Sequence, residues 1–114
     1  MISGVPRSAT TTDVFNAIAE EGRRDLLDAL GRDEATVGDL VARLGMSQPQ
    51  VSKHLGVLRE VGVVRVRVDG RHRWYRIYGP ALKPVHSWVR RFERTWNQRL
   101  DRLEALVTEL QEEQ

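Results

Sequence analysis

Within residues 47–54 the chain sets out Ser47, Gln48, Gln50, Ser52, Lys53 and His54, and between residues 64 and 77 it carries five arginines against a single aspartate. Neither group is suited to covalent chemistry. A glutamine amide can bond the N6 and N7 edge of adenine in a major groove, lysine neutralises phosphate, and arginine fits a narrow minor groove or its flanking phosphates. The combination points to duplex nucleic acid. Gln48 and Gln50 are the candidate base readers, Ser52 and Lys53 meet phosphates or base edges, and Arg67, Arg71 and Arg73 surround the tip of a basic hairpin. Plainer readings stand beside these. Ser47 and Gln50 could be consumed in capping a helix, and His54 lies beside an apolar stripe where a half-buried ring explains it at least as well. Arginines on a hairpin could serve solubility alone, and Trp74, Tyr75 and Ile77 suit packing.

The elements that hold these residues follow from spacing. Val37, Leu40, Val41 and Leu44 fall at i, i+3, i+4 and i+7, one buried stripe of a short helix, with Thr36 and Asp39 as its cap and Gly45 free to take positive φ at its end. Ser47 then caps a second helix, Gln50 completes a capping box, and Pro49 is tolerated in the first turn. Its buried stripe is Val51, Leu55 and Leu58, which leaves Pro49, Gln50, Lys53 and Gly56 on the opposite side. From Val64 to Val68 the period changes to two, and Asp69-Gly70 is a strong hairpin signal before a strand from Arg71 to Ile77.

Upstream, residues 1–12 read as a mobile arm. Asp13 caps a short helix through Glu20 with Val14, Ala17 and Ile18 inward. Gly22 breaks the chain before a helix from Arg23 to Leu30, where Leu26, Leu27 and Leu30 pack and Gly31 ends the run. Downstream, a last helix can start at Gly79-Pro80 and run to about Glu112 with Pro84 in its first turn. Val89, Phe92, Trp96, Leu103, Leu106 and Leu110 form a three-four seam, interrupted by Arg99 and extended backward by Val85 and Trp88. A helix of about 30 residues spans ~45 Å. One small domain does not cover such a seam, so a homodimer is expected; the alternative is a helix folded back over its own core.

Charge is distributed unevenly. Residues 1–46 hold five Lys and Arg against eight Asp and Glu, residues 47–99 hold twelve against three, and residues 100–114 hold one against five. A basic middle between acidic ends is the footprint of a nucleic-acid binder, although the formal net charge is only +2. No apolar run approaches the ~18 residues of a membrane span, and the N-terminus lacks the sections of a signal peptide, so a cytoplasmic location and no membrane partner are expected. With no cysteine in the chain, disulfides, thiolate metal sites and cysteine nucleophiles are excluded. No Gly-rich phosphate loop and no histidine-carboxylate constellation supports an enzyme.

The run Ser47-Gln48-Pro49-Gln50-Val51-Ser52-Lys53-His54-Leu55, with Leu58-Arg59-Glu60-Val61-Gly62-Val63-Val64, Asp69-Gly70-Arg71 and Trp74-Tyr75-Arg76-Ile77, resembles the ArsR family of bacterial winged helix-turn-helix repressors. The likeness extends upstream over Val14-Phe15-Asn16-Ala17-Ile18-Ala19 and Arg23-Arg24-Asp25-Leu26-Leu27, although Glu21-Gly22 stands where a Pro-Thr pair is usual. The resemblance implies a mainly α fold of about five helices with a two-stranded β wing. An arm over 1–12 would precede a DNA-binding domain over 13–79 and a dimerisation helix over 80–114. It also implies a homodimer on double-stranded DNA, read here as a repressor on an inverted-repeat operator. Metal sensors of the family carry cysteines where this chain has Thr36 and Gly38, and His86 lacks partners in the last helix, so the chain resembles the non-metal branch, with no cofactor. A small-molecule effector is compatible with the family, but no residue set declares one. The contrasting reading is a winged-helix protein-interaction or ligand-sensing module with weak, nonspecific DNA binding.

Overall fold

A computed structural model describes residues 13–113; the arm expected over 1–12 lies outside them. In chain order the elements are helices α1 (Val14–Ile18), α2 (Glu21–Leu30), α3 (Val37–Leu44) and α4 (Gln48–Glu60), strands β1 (Val64–Asp69) and β2 (His72–Ile77), a 3₁₀ turn (Gly79–Leu82) and helix α5 (Lys83–Glu112). Two compact units divide between Lys83 and Pro84.

Each early helix begins on a side chain that satisfies its free backbone donors. The Asp13 carboxylate accepts the Asn16 N–H at 2.8 Å. At α3, the Thr36 hydroxyl accepts the Asp39 N–H at 3.1 Å while the Asp39 carboxylate accepts the Thr36 N–H at 3.1 Å. Gly45 closes α3 at φ 68°, with its N–H on the Val41 carbonyl at 3.0 Å. α1 has only five residues, too few to be stable alone, and its last carbonyls are taken by arginines of α2. Arg24 donates to the carbonyls of Ile18 (2.7 Å) and Ala19 (3.0 Å), and Arg23 to that of Ala17 (3.3 Å).

The expected break at Gly22 falls elsewhere. The chain turns at Ala19 and Glu20, and Gly22 sits in the first turn of α2. A Cβ at Gly22 would lie 2.9 Å from Nε2 of His54, so this position is small because the ring of α4 rests on it, not because the helix must stop.

Leu26 and Leu30 of α2, Leu40 of α3, Val51, Leu55 and Leu58 of α4, and Val63 and Val64 at the start of the hairpin are sealed from solvent together. Each such aliphatic side chain contributes roughly 1.5–3 kcal/mol by its burial. α4 packs on α1, α2, α3 and β1, so its apolar stripe is the hub of the first unit.

β1 and β2 pair antiparallel from Val64 opposite Ile77 to Asp69 opposite His72. That register leaves Gly70 and Arg71 as the two-residue loop, one position later than the Asp69-Gly70 turn expected. Gly70 takes φ 62° and Arg71 does not take positive φ, the pattern of a loop with glycine at its first central position. Ala35 adds a short third rung to β2: its N–H donates to the Tyr75 carbonyl at 3.0 Å and its carbonyl accepts the Tyr75 N–H at 2.8 Å.

In the second unit, α5 is 30 residues long with Pro84 in its first turn and no buried residue. Val89, Phe92, Trp96, Leu103, Leu106 and Leu110 are all exposed, Phe92 by 58% and Trp96 by 64%. Leu100 and Val107, outside the expected seam, are exposed beside them. Among the described residues no helix is long and apolar enough to cross a membrane.

The packing of His54 on Gly22 gives a sign-changing prediction. Alanine in place of glycine in a helix is ordinarily worth about 1 kcal/mol. In a His54→Ala background Gly22→Ala should therefore stabilise the chain in urea melts, whereas with the ring present the gain should vanish or reverse. A coupling below about 0.5 kcal/mol between the two sites would show that the ring does not bear on Gly22.

Candidate nucleic-acid interface

The buried stripe of α4 fixes what its other side presents. With Val51, Leu55 and Leu58 inward, Gln48, Pro49, Ser52, Lys53 and Gly56 are all exposed. Gln48 occupies the first helical position after the Ser47 cap. No hydrogen bond or ion pair engages the side chains of Gln48, Ser52 or Lys53 among the described residues.

Gln50 is in a different state. Its side-chain oxygen accepts the Ser47 N–H at 3.1 Å and the Ser47 hydroxyl at 3.3 Å, and its own N–H donates to the Ser47 hydroxyl oxygen at 3.3 Å. The oxygen that would read adenine is thus committed to holding the helix start, while the amide nitrogen stays free. His54 is turned the other way. Its side chain is 15% exposed, Nδ1 lies 3.6 Å from the Glu20 carboxylate, and Nδ1 is buried without a hydrogen-bond partner. Of the two readings the sequence left open, this geometry favours packing against the α1–α2 turn.

The wing arginines fall into distinct environments. Arg67 is clamped: its Nε and Nη2 donate to the two oxygens of Glu34 at 3.0 and 2.9 Å, and Nη1 lies 3.6 Å from the Asp69 carboxylate. Its guanidinium also sits 5.9 Å from the centre of the Trp74 ring. The hydrogen bonds from Arg67, ahead of its charge and that of Arg76, hold the Glu34 carboxyl below the usual carboxylate range, and the same pair holds Arg67 protonated more firmly. Arg65 stacks on Tyr78 with 3.4 Å from guanidinium carbon to ring centre. Arg71 and Arg73 are exposed, and no hydrogen bond or ion pair engages them among the described residues.

Glu34 escaped the sequence reading because it stands 33 residues from Arg67 in a loop, where no helical or strand period pairs them. The Arg65–Tyr78 stack escaped it because Tyr78 follows the second strand and meets Arg65 of the first only through the register that pairs Val64 with Ile77. Neither has a local signal.

An exposed polar helix face laid on a helix-turn-helix core, followed by a basic two-stranded wing, is the architecture of a winged helix-turn-helix DNA-binding domain. A family model described as a helix-turn-helix domain matches residues 18–67. The chain belongs to the ArsR family of transcriptional regulators. It is 30% identical over 80 residues to the transcriptional repressor SdpR of Bacillus subtilis (strain 168), covering 70% of this chain and 89% of that protein. It is 33% identical over 102 residues to the arsenical resistance operon repressor of Escherichia coli (strain K12), covering 85% and 81%. The solved structure of an ArsR-like transcriptional regulator from Rhodococcus sp. RHA1 superposes with a TM-score of 0.66 at 31% identity, covering 82% of this chain and 86% of that one.

The lowered Glu34 carboxyl sets the pH behaviour of the clamp. A depressed carboxyl contributes its stabilisation at every pH above the ordinary carboxylate range and loses it only as pH falls through the lowered value. Carbon-detected NMR titration should therefore show Glu34 ionising below a typical glutamate, returning to the ordinary range in Arg67→Gln. Because both side chains keep a third or more of their surface in water, Glu34→Gln should leave the urea-melt midpoint little changed. A titration unmoved by Arg67→Gln would show that the pair does not persist in solution.

Proposed function

We propose that the chain is a homodimeric, sequence-specific repressor that lays α4 in the major groove of an inverted-repeat operator and the wing against the adjacent minor groove. The observation that carries this reading is the unencumbered face of Gln48, Ser52 and Lys53, held outward by the burial of Val51, Leu55 and Leu58. Gln48, with its whole carboxamide free, is the stronger base reader; Gln50 offers its amide nitrogen only, and Ser47 serves the cap while its turn approaches phosphate. Lys53 supplies charge. Arg71 and Arg73 are the cations at the wing tip open to phosphate, Arg76 stands exposed further along β2, and Arg67 joins them only by leaving Glu34.

Repression is supported by the two curated relatives, both named as repressors. Dimerisation is supported by the apolar face of α5, where Val89, Phe92, Trp96, Leu103, Leu106 and Leu110 stand exposed. Assignment to a branch that does not sense metals is supported by the donor set. The chain has no cysteine, and Thr36 and Gly38 stand where the family's metal sensors carry theirs.

Selection from a random duplex library should recover an inverted repeat with half-site centres about one helical turn, ~34 Å, apart. Lys53→Ala should weaken binding to all duplexes alike and reduce the salt slope by about 0.9. Gln48→Ala should instead lose ~1–3 kcal/mol of discrimination at one base position. Weak binding of equal strength to every duplex would overturn the proposal in favour of an interaction or ligand-sensing module.

The dimer has its own test. Replacing Trp96 and Leu103 together by serine should shift the chain from dimer to monomer in sedimentation equilibrium and reduce operator affinity by at least tenfold. A wild-type chain that sediments as a monomer at operator-binding concentrations would remove the two-fold symmetry.

A further inference from the structure

We infer that the cleft between the start of α3 and the second strand of the wing is a binding site for a small oxyanion, a compound bearing phosphate or carboxylate. The cleft has a volume of about 420 Å³ and is lined by Thr36 and Gly38 on one side and by Arg71, His72, Arg73 and Tyr75 on the other. A space of that size accepts a small organic ligand and not merely an inorganic ion.

Alternation along β2 brings Arg73 and Tyr75 together on the cleft side, while His72 belongs to the other face and lines only the rim. Arg73 and Tyr75 are two residues apart and share a strand face. Tyr75 is 8% exposed and bonded through its backbone to Ala35, the residue before Thr36. That rung ties the strand to the entry of α3, so the floor of the cleft is fixed while Arg73 stands on the same face, one rung nearer the tip. Arg65, Arg67 and Arg76 belong to the opposite face by the same alternation. Arg71 reaches the cleft from the loop.

The charge of the cleft is uncompensated. Arg71 and Arg73 meet no carboxylate among the described residues, in contrast to Arg67. The Asp39 carboxylate already accepts the Thr36 N–H at 3.1 Å, and this bond, ahead of the charge of Arg43, holds it below the usual carboxylate range. Two guanidinia that can each present a planar fork form a receptor for phosphate or carboxylate oxygens. Gly38 leaves the facing wall without a side chain; a Cβ there would meet only Thr36 Oγ1, at 3.8 Å.

One consequence rests on the proposed DNA reading. The same two arginines are open cations at the tip of the wing, so an anion in the cleft would occupy groups that DNA phosphates require. By linkage, anion and DNA would each weaken the other. The site would then be the sensory input of the regulator.

The test begins without DNA. Inorganic phosphate, and citrate in a parallel series, are titrated into the full ¹⁵N-labelled chain against sodium chloride of matched ionic strength. Saturable amide shifts confined to Thr36, Gly38 and residues 71–73 are expected, weakened at least tenfold in Arg73→Ala and in the loop variant Arg71→Ala. Lys53→Ala, which removes charge from α4 alone, should keep its anion affinity within about twofold. Shifts that follow ionic strength only, spread over the whole basic surface, or persist in both arginine variants would overturn the site. In a second arm, saturating phosphate should lower DNA affinity at least tenfold beyond matched chloride. Localised anion binding that leaves DNA affinity unchanged would overturn the proposed competition, leaving the cleft a binding site and the wing-arginine contacts with DNA in error.

Discussion

The first unit depends on one constraint: α4 must bury Val51, Leu55 and Leu58 simultaneously against helices on one side and the first strand on the other. Three side chains at i, i+4 and i+7 define a line along one side of the helix, and once that line is sealed the rotation of α4 about its axis is fixed. Everything on the far side is then exposed without further specification. The polar face is a consequence of packing, and its chemistry is free to vary because no member of it supports the core. His54 marks the edge of this freedom. One residue before Leu55, it lies neither in the sealed line nor on the open face, and it is the α4 residue that the α1–α2 turn takes up through Gly22 and Glu20.

Arginine does two different jobs in this molecule, and its partners separate them. Arg23, Arg24 and Arg43 donate to backbone carbonyls: the first two at the end of α1, and Arg43 to the Ala29 carbonyl at 3.1 Å. They satisfy acceptors that short helices leave open. Arg67 joins this structural group through Glu34, which fastens β1 to the loop before α3. Arg71 and Arg73 lack such partners, and their desolvation would be repaid only by an external anion. A count of five arginines on the hairpin therefore overstates the cationic surface offered to a ligand; geometry reduces it to the unpaired members.

Local order was readily legible. The capping pairs Thr36–Asp39 and Ser47–Gln50, the positive φ of Gly45 and the buried stripe of α4 all follow from neighbours within four residues, where the backbone itself sets the geometry. Gly22 misled because glycine is ambiguous in sequence: it ends helices where φ must be positive, and it also admits a bulky neighbour. Only the tertiary position of His54, 32 residues on, separates the two. The hairpin turn moved by one residue for a related reason. Asp-Gly can place glycine at either central loop position, and the pairing of Asp69 with His72 chooses between them. Glu34 was invisible because a bidentate pair across a loop carries no period.

The width of the apolar stripe on α5 carries the last step. Residues 89, 92, 96, 103, 106 and 110 trace a strict three-four seam in which Arg99 occupies one inward position. Leu100 and Val107 each lie one residue past that seam, four after Trp96 and Leu103 respectively, and both are as exposed as the seam itself. A straight α-helix drifts ~20° per heptad against a 3.5-residue repeat, and adding these two residues follows the drift instead of resisting it. Arg99 then falls at the margin of the stripe, where its aliphatic stem can lie along apolar surface while the guanidinium remains in water. A stripe that includes the added position matches the broad face of a helix packed in a bundle, and not the narrow seam of a two-stranded coiled coil. In the proposed dimer, α5 would accordingly need more than one partner helix across its face, so the interface calls for a bundle contact and not a simple pairing of two long helices.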